Sequence, residues 1–213
     1  MHALLQYSPL ALLLLASTAC QTSSKTVHQE LDINHYLADE RDLDPVRMVM
    51  VLPFDGDVAP QEVREHVTNT FVREIAEEGK FIVKPLPPLS DEEDLILQSE
   101  KQGRIDTKEL VELCKRFHLD GVIIGRITSY QDYYPPRIGL RCLMVSVHSG
   151  GIVWAADMIF NSAKQLTRQD AIRYYRSTLI ADASNHGEEM IFLSPREFGE
   201  YACARLLSTL HKR

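Results

Sequence analysis

Basic residues are in deficit along this chain: 23 Lys and Arg face 30 Asp and Glu, for a net charge of −7 and an isoelectric point near 5.6. A protein that holds nucleic acid by neutralising phosphates needs the opposite balance, so that class is excluded. Cysteine is sparse as well. The four residues, Cys20, Cys114, Cys142 and Cys203, nowhere show the two-residue gap of a redox or zinc motif. No glycine-rich loop follows a strand to open a helix, and no serine has the G-x-S-x-G spacing of a nucleophile elbow. No two histidines stand three or four residues apart, and there is neither an internal repeat nor a low-complexity tract. These absences remove the usual footprints of phosphate binding, metal hydrolysis and nucleophilic catalysis.

What is present begins at the N-terminus. Leu10-Ala11-Leu12-Leu13-Leu14-Leu15-Ala16 is apolar, Ser17-Thr18-Ala19 is small, and Cys20 follows at once. The apolar run is too short to cross a bilayer but suits the core of an export signal. A cysteine behind small residues resembles the lipobox of bacterial lipoproteins. That resemblance implies cleavage after residue 19, fatty acylation of Cys20 and attachment to a membrane. Gln21, where inner-membrane lipoproteins often carry Asp, points by the same resemblance to the outer membrane, with the folded part in the periplasm. Ser17-Thr18-Ala19 also fits an ordinary signal peptidase, which would release a soluble protein beginning at Cys20. An uncleaved anchor is disfavoured by the length of the run.

Residues 20–45 are polar and weakly periodic. They read as a lipid-anchored flexible tether, with a short helical turn near Leu31 to Leu37. The domain is expected at 46–213, a length that supports one core. Val46-Arg47-Met48-Val49-Met50-Val51-Leu52-Pro53-Phe54 is the signature of a buried strand. Val63, Val67, Phe71 and Ile75 recur every four residues on one helix face ending at Gly79. Phe81-Ile82-Val83 gives a second strand. Ser90 with Glu93 and Asp106 with Glu109 look like capping boxes of two helices. The second of these turns Leu110, Leu113, Cys114 and Phe117 inward.

Gly121-Val122-Ile123-Ile124-Gly125-Arg126-Ile127 reads as a third strand, and a turn at Tyr133-Tyr134-Pro135-Pro136 leads into a hairpin with arms 138–148 and 152–160. Helices start at Thr167 and at Ser194-Pro195-x-Glu197. The expected fold is a single α+β domain with a mixed β-sheet, a C-terminal antiparallel meander and helices packed on it, in the order β-α-β-α-α-β-β-β-α-α. Cys114, Cys142 and Cys203 read as buried thiols serving as small hydrophobes, with a disulfide between two of them, one left over, as the alternative in an exported protein.

That order behind a lipobox resembles the periplasmic domain of the CsgG/LpoB-like superfamily, which includes curli-secretion lipoproteins and lipoprotein activators of penicillin-binding proteins. The matching stretches are Val49 to Phe54, Phe117 to Ile127 and Val145-Ser146-Val147-His148-Ser149-Gly150-Gly151-Ile152-Val153-Trp154. The likeness spans about 46–160 and consists of strand and turn geometry, so no catalytic residues come with it. It implies scaffolding, activation of a partner, or secretion.

Isolated polar groups offer little chemistry. His148 beside Ser149 lies at a hairpin end, and His186-Gly187-Glu188-Glu189 fits a loop as well as a partial metal site. No catalytic residue, metal site, cofactor or small-molecule substrate is indicated. Tyr130, Tyr133, Tyr134 and Arg137 around Pro135-Pro136 are the residue types that carry interface energy, as are Tyr174 and Tyr175, one of which should face solvent. Packing of these rings on the domain is the competing reading.

The chain is therefore expected to be a non-enzymatic, lipid-anchored adaptor held to the membrane through Cys20 and binding another envelope protein or itself. An oligomeric secretion channel of curli type is the alternative, although Arg141 and Asp157 interrupt the apolar faces a membrane hairpin needs. A secreted hydrolase is a further alternative.

Overall fold

The computed structural model describes residues 30–86, 107–178 and 188–211. Along them run β1 (Asn34–Leu37), α1 (Glu40–Leu43), β2 (Met48–Val51), α2 (Gln61–Glu77), β3 (Ile82–Lys84), α3 (Thr107–Arg116), β4 (Gly121–Gln131), β5 (Arg137–Ser146), β6 (Ile152–Asn161), α4 (Gln165–Thr178), a 3-10 turn (Glu188–Phe192), α5 (Pro195–Leu207) and a last 3-10 turn (Ser208–His211). The six strands form one open mixed sheet in the order β1-β6-β5-β4-β2-β3. β2 is parallel to β3 and β4, and the meander β4-β5-β6 with β1 is antiparallel. The α+β class and the sheet-plus-helices architecture read from the sequence are those of the protein.

Strand alternation divides the core in two. Val49 and Val51 of β2, Ile123 and Ile127 of β4, Ile138, Leu140, Cys142 and Met144 of β5, and Trp154, Ala156 and Phe160 of β6 belong to the larger cluster. Phe71 and Ile75 of α2, Ala171 of α4, and Phe198, Tyr201, Cys203 and Leu206 of α5 close over them. The opposite parity (Met50, Leu52, Val122, Val145) packs with Leu110 and Cys114 of α3. Trp154 is fully buried and donates its Nε1–H to Thr209 Oγ1 at 2.9 Å, fastening the C-terminal turn beneath the sheet. Gly125 is required where it stands, because a Cβ there would lie 2.4 Å from the Phe54 ring.

The start of α5 follows its sequence signal. Ser194 Oγ accepts from the Glu197 amide at 3.2 Å, and Pro195 occupies the first turn. The three thiols are buried and free, and burial pushes the Cys114 thiol up to about 12.

Three expectations need correction. Part of the 20–45 stretch read as tether belongs to the fold: Leu31, Ile33 and Leu43 are buried, and Asn34–Leu37 pairs antiparallel with β6, Leu37 opposite Trp154. The turn near Leu31 to Leu37 is thus strand, since an open β6 edge offers it partners; one helical turn comes later, at Glu40–Leu43. β4 continues four residues beyond Ile127 through polar Thr128 to Gln131, passing a register shift between Ile127 and Ser129. The helix expected from Ser90 lies outside the described residues.

A candidate partner-binding tip

The β4–β5 hairpin ends in Gln131, whose side-chain amide donates to the carbonyls of Pro135 (2.8 Å) and Tyr133 (3.4 Å) and so closes the turn. Tyr133 and Tyr134 stand out from it, 70% and 57% exposed. Beside them, Met190 and Leu193 at the end of the 3-10 turn before α5 are 51% and 65% exposed. Rings and aliphatic side chains this open are costly to leave in water unless something covers them.

Arg168 of α4 ties the two pieces together. Its guanidinium donates to the Tyr134 hydroxyl at 3.3 Å, pairs with Glu189 and lies 4.4 Å from the centre of the Phe192 ring. The bond to Glu189 holds the Arg168 charge more firmly than usual, although burial works against it. The 188–193 segment is seated by the buried Ile191 and Phe192, and Arg168 links it to the hairpin. Ordering a surface before it meets a partner lowers the entropy lost on binding.

A cleft of about 400 Å³ adjoins the tip, walled by α2 and α5 and lined by Val63, Val67, Tyr130, Ile138, Pro195 and Gly199 among others. A methyl group on Gly199 would meet no heavy atom within 4 Å, so the cleft has room there. Tyr130 packs against the larger core cluster. Burial raises its hydroxyl above the usual tyrosine range, and Asp132 adds to the shift. His66, also lining the cleft, has its pKa lowered by burial and by Arg196 against the pull of Glu200.

The tip therefore gathers Tyr130, Tyr133, Tyr134 and Arg137, although Arg137 is half-buried at the base of β5 rather than presented. Tyr174 and Tyr175 are elsewhere. Both are half-buried and both touch the larger core cluster, so the expectation that one faces solvent is corrected. Tyr174 lies 5.6 Å from Tyr201 between α4 and α5, and Arg205 caps it at 5.7 Å. Arg168, Met190 and Leu193 were missed by the sequence reading, because nothing local marks an arginine that bridges two distant segments.

The polar pairs elsewhere are structural in geometry. Asp120 accepts from the amides of Met48 (2.8 Å) and Arg47 (3.0 Å) and pairs with His148 Nε2 at 3.2 Å. Burial pushes its carboxyl up, and these donors more than reverse that, leaving it below the usual range. Asp170 accepts from Arg205 (2.7 Å), Tyr201 (3.0 Å) and Arg173 (3.0 Å), joining α4 to α5. His186 lies outside the described residues. Among the described residues no three His, Cys, Asp or Glu side chains gather as metal ligands, and no helix is long and apolar enough to cross a membrane.

No family model matches the chain, and no curated protein matches it. Solved structures with related shapes include the PelC dodecamer from Paraburkholderia phytofirmans, 12% identical, covering 85% of this chain and 98% of that one with a TM-score of 0.49. Lipoprotein GNA1162 from Neisseria meningitidis is 12% identical, with 64% and 99% covered and a TM-score of 0.41. The LpoB C-terminal domain from Salmonella enterica is 14% identical, with 54% and 82% covered and a TM-score of 0.32. The chain's structural neighbours thus include bacterial lipoproteins. Likeness at this level transfers no role from them.

Proposed function

We propose that this chain is an accessory lipoprotein of the bacterial cell envelope, acylated at Cys20 and held at the outer membrane. Its periplasmic domain, of CsgG/LpoB-like kind, binds another envelope protein without catalysis of its own. The export signal ending at Ala19-Cys20 supports the address. The observation that carries the binding role is the tip, where Tyr133, Tyr134, Met190 and Leu193 are exposed together and held in place by Arg168. The scattered polar pairs and the raised thiol pKa values favour a non-catalytic role.

A secretion channel would have to send β5 and β6 into the membrane. Those strands form the middle of the sheet and bury Ile138, Leu140, Cys142 and Met144 under helices, which favours the adaptor.

The test is the composition of the cross-linked, detergent-extracted complex from the native envelope. A hetero-complex that loses tenfold or more of its yield in Tyr134→Ala and Leu193→Ser, with melting temperatures within about 2 °C of wild type, is the expected result. A closed homo-oligomer alone, or a large drop in melting temperature, overturns the reading. Cys20→Ala should leave the chain extractable without detergent.

A further inference from the structure

The place where the chain enters the domain bears on what the tip can meet. β1 begins at Asn34, opposite Asp157 of β6, and runs to Leu37, opposite Trp154. In the other direction β6 ends at Asn161, paired with Arg137, which pairs in turn with Gln131. Just beyond, the Ser162 amide donates to the Pro136 carbonyl at 3.1 Å. The first residue of β1 and the turn that carries Tyr133 and Tyr134 therefore point to the same end of the sheet. Leu31 and Ile33 are buried, so the chain is already fastened to the domain when it reaches β1.

Covalent reach sets a second limit. Residues 21–30 are all that separates Cys20 from this entry, and fully extended they span at most about 36 Å. From residue 30 to Asn34 adds at most about 14 Å. From Asn34 to the turn is about 20 Å, counting Asp157 to Ser162 along the sheet and β1 to β5 across it. The exposed rings stay within roughly 70 Å of the Cys20 sulfur.

On the strength of the acylation and the tip-binding role proposed above, we infer that the protein received at the tip is carried by the same membrane as Cys20 and is met at that membrane's surface. So short a tether keeps the tip in a thin layer over the bilayer. That raises its local concentration for a partner confined to the layer, and does nothing for a soluble partner or one in another membrane. The lipid pulls on the end of the sheet that carries the rings, so they turn toward the bilayer. Two copies in one membrane then present their tips side by side rather than to each other, which makes a second copy a poor occupant. Lipid is a poor one too. Asp132 and Glu189 are exposed beside the rings, and a protein can supply donors to those carboxylates where acyl chains cannot.

The test places a photo-reactive residue at Tyr133 in the full chain, in its native envelope, and identifies the cross-linked protein after the membranes are separated. The expected product is a protein of the membrane that holds Cys20, its yield falling about tenfold in Leu193→Ser. Inserting about twenty Gly/Ser residues after Ser24 should lower the yield about fivefold with the melting temperature unchanged, because local concentration falls roughly as the −3/2 power of tether length. Cys20→Ala should lower it about tenfold or more. A Leu193-dependent product that is soluble, that comes from another membrane, or whose yield ignores both the insertion and Cys20→Ala overturns this inference and leaves the tip-binding role standing. A product that is lipid, a second copy or another part of the same chain overturns both, as does the absence of any product that depends on Leu193.

Discussion

Along β5 the even-numbered Ile138, Leu140, Cys142 and Met144 are buried under helices, while the odd-numbered Arg137, Arg141 and Leu143 are exposed or half-buried. The same backbone thus serves two purposes, one residue apart. Covered residues are chosen for volume, and only apolar groups fit among them. Open residues are chosen for what they present, and arginines can sit among isoleucines. The difference shows that apolar content alone does not identify the core here. Ile159 and Trp154 are both hydrophobic residues of β6, but only Trp154 has helices above it.

Breaking the covered face should have the largest effect. Trp154→Ala removes a fully buried ring and leaves Thr209 without its donor, at an expected cost of about 3–5 kcal/mol in denaturant unfolding. A loss below about 1 kcal/mol would mean that this face is not the one that holds the fold.

A smaller effect is expected at Asp120, which ties the start of β2 to β4 through two backbone amides. Asp120→Ala should cost about 1 kcal/mol at neutral pH. Because the folded-state carboxyl lies below its usual value, its contribution is complete above the ordinary carboxylate pKa and disappears as pH falls through the lowered one. The gap in melting temperature between wild type and variant should therefore close in acid. A gap that persists at pH 2 would show that the bonds do not depend on ionisation.

On the open face, Ile159→Ser should change unfolding free energy by less than about 0.5 kcal/mol. A loss comparable to Trp154→Ala would show that Ile159 is core after all, erasing the distinction between the faces.

Much of the architecture was legible because burial leaves periodic marks. Val63, Val67, Phe71 and Ile75 announced α2, the Gly150-Gly151 turn announced the β5–β6 hairpin, and Ser194-Pro195 announced α5. β1 was not legible. Asn34-His35-Tyr36-Leu37 has little apolar alternation, and it becomes a strand because the edge of β6 supplies hydrogen bonds. The far end of β4 was hidden for a similar reason, its polar residues being paired by Arg137, Ile138 and Gly139 across the hairpin.

Of the candidate site, composition pointed to Tyr133 and Tyr134. It could not tell them from Tyr174, since exposure depends on α5 arriving at Tyr201 from far along the chain. Leu193 looked like any other leucine, and only the fold leaves it uncovered.

β1 also has a mechanical consequence. The chain that precedes residue 30 enters the domain through Leu31 and Ile33 and then four residues of edge strand. Any pull arriving from the N-terminus is received there, on the backbone hydrogen bonds between β1 and β6. The load passes straight into the strand that carries Trp154 rather than into an outlying loop. Under tension β1 would detach first, leaving the β6 edge open while the helices on the covered face still hold the rest of the sheet.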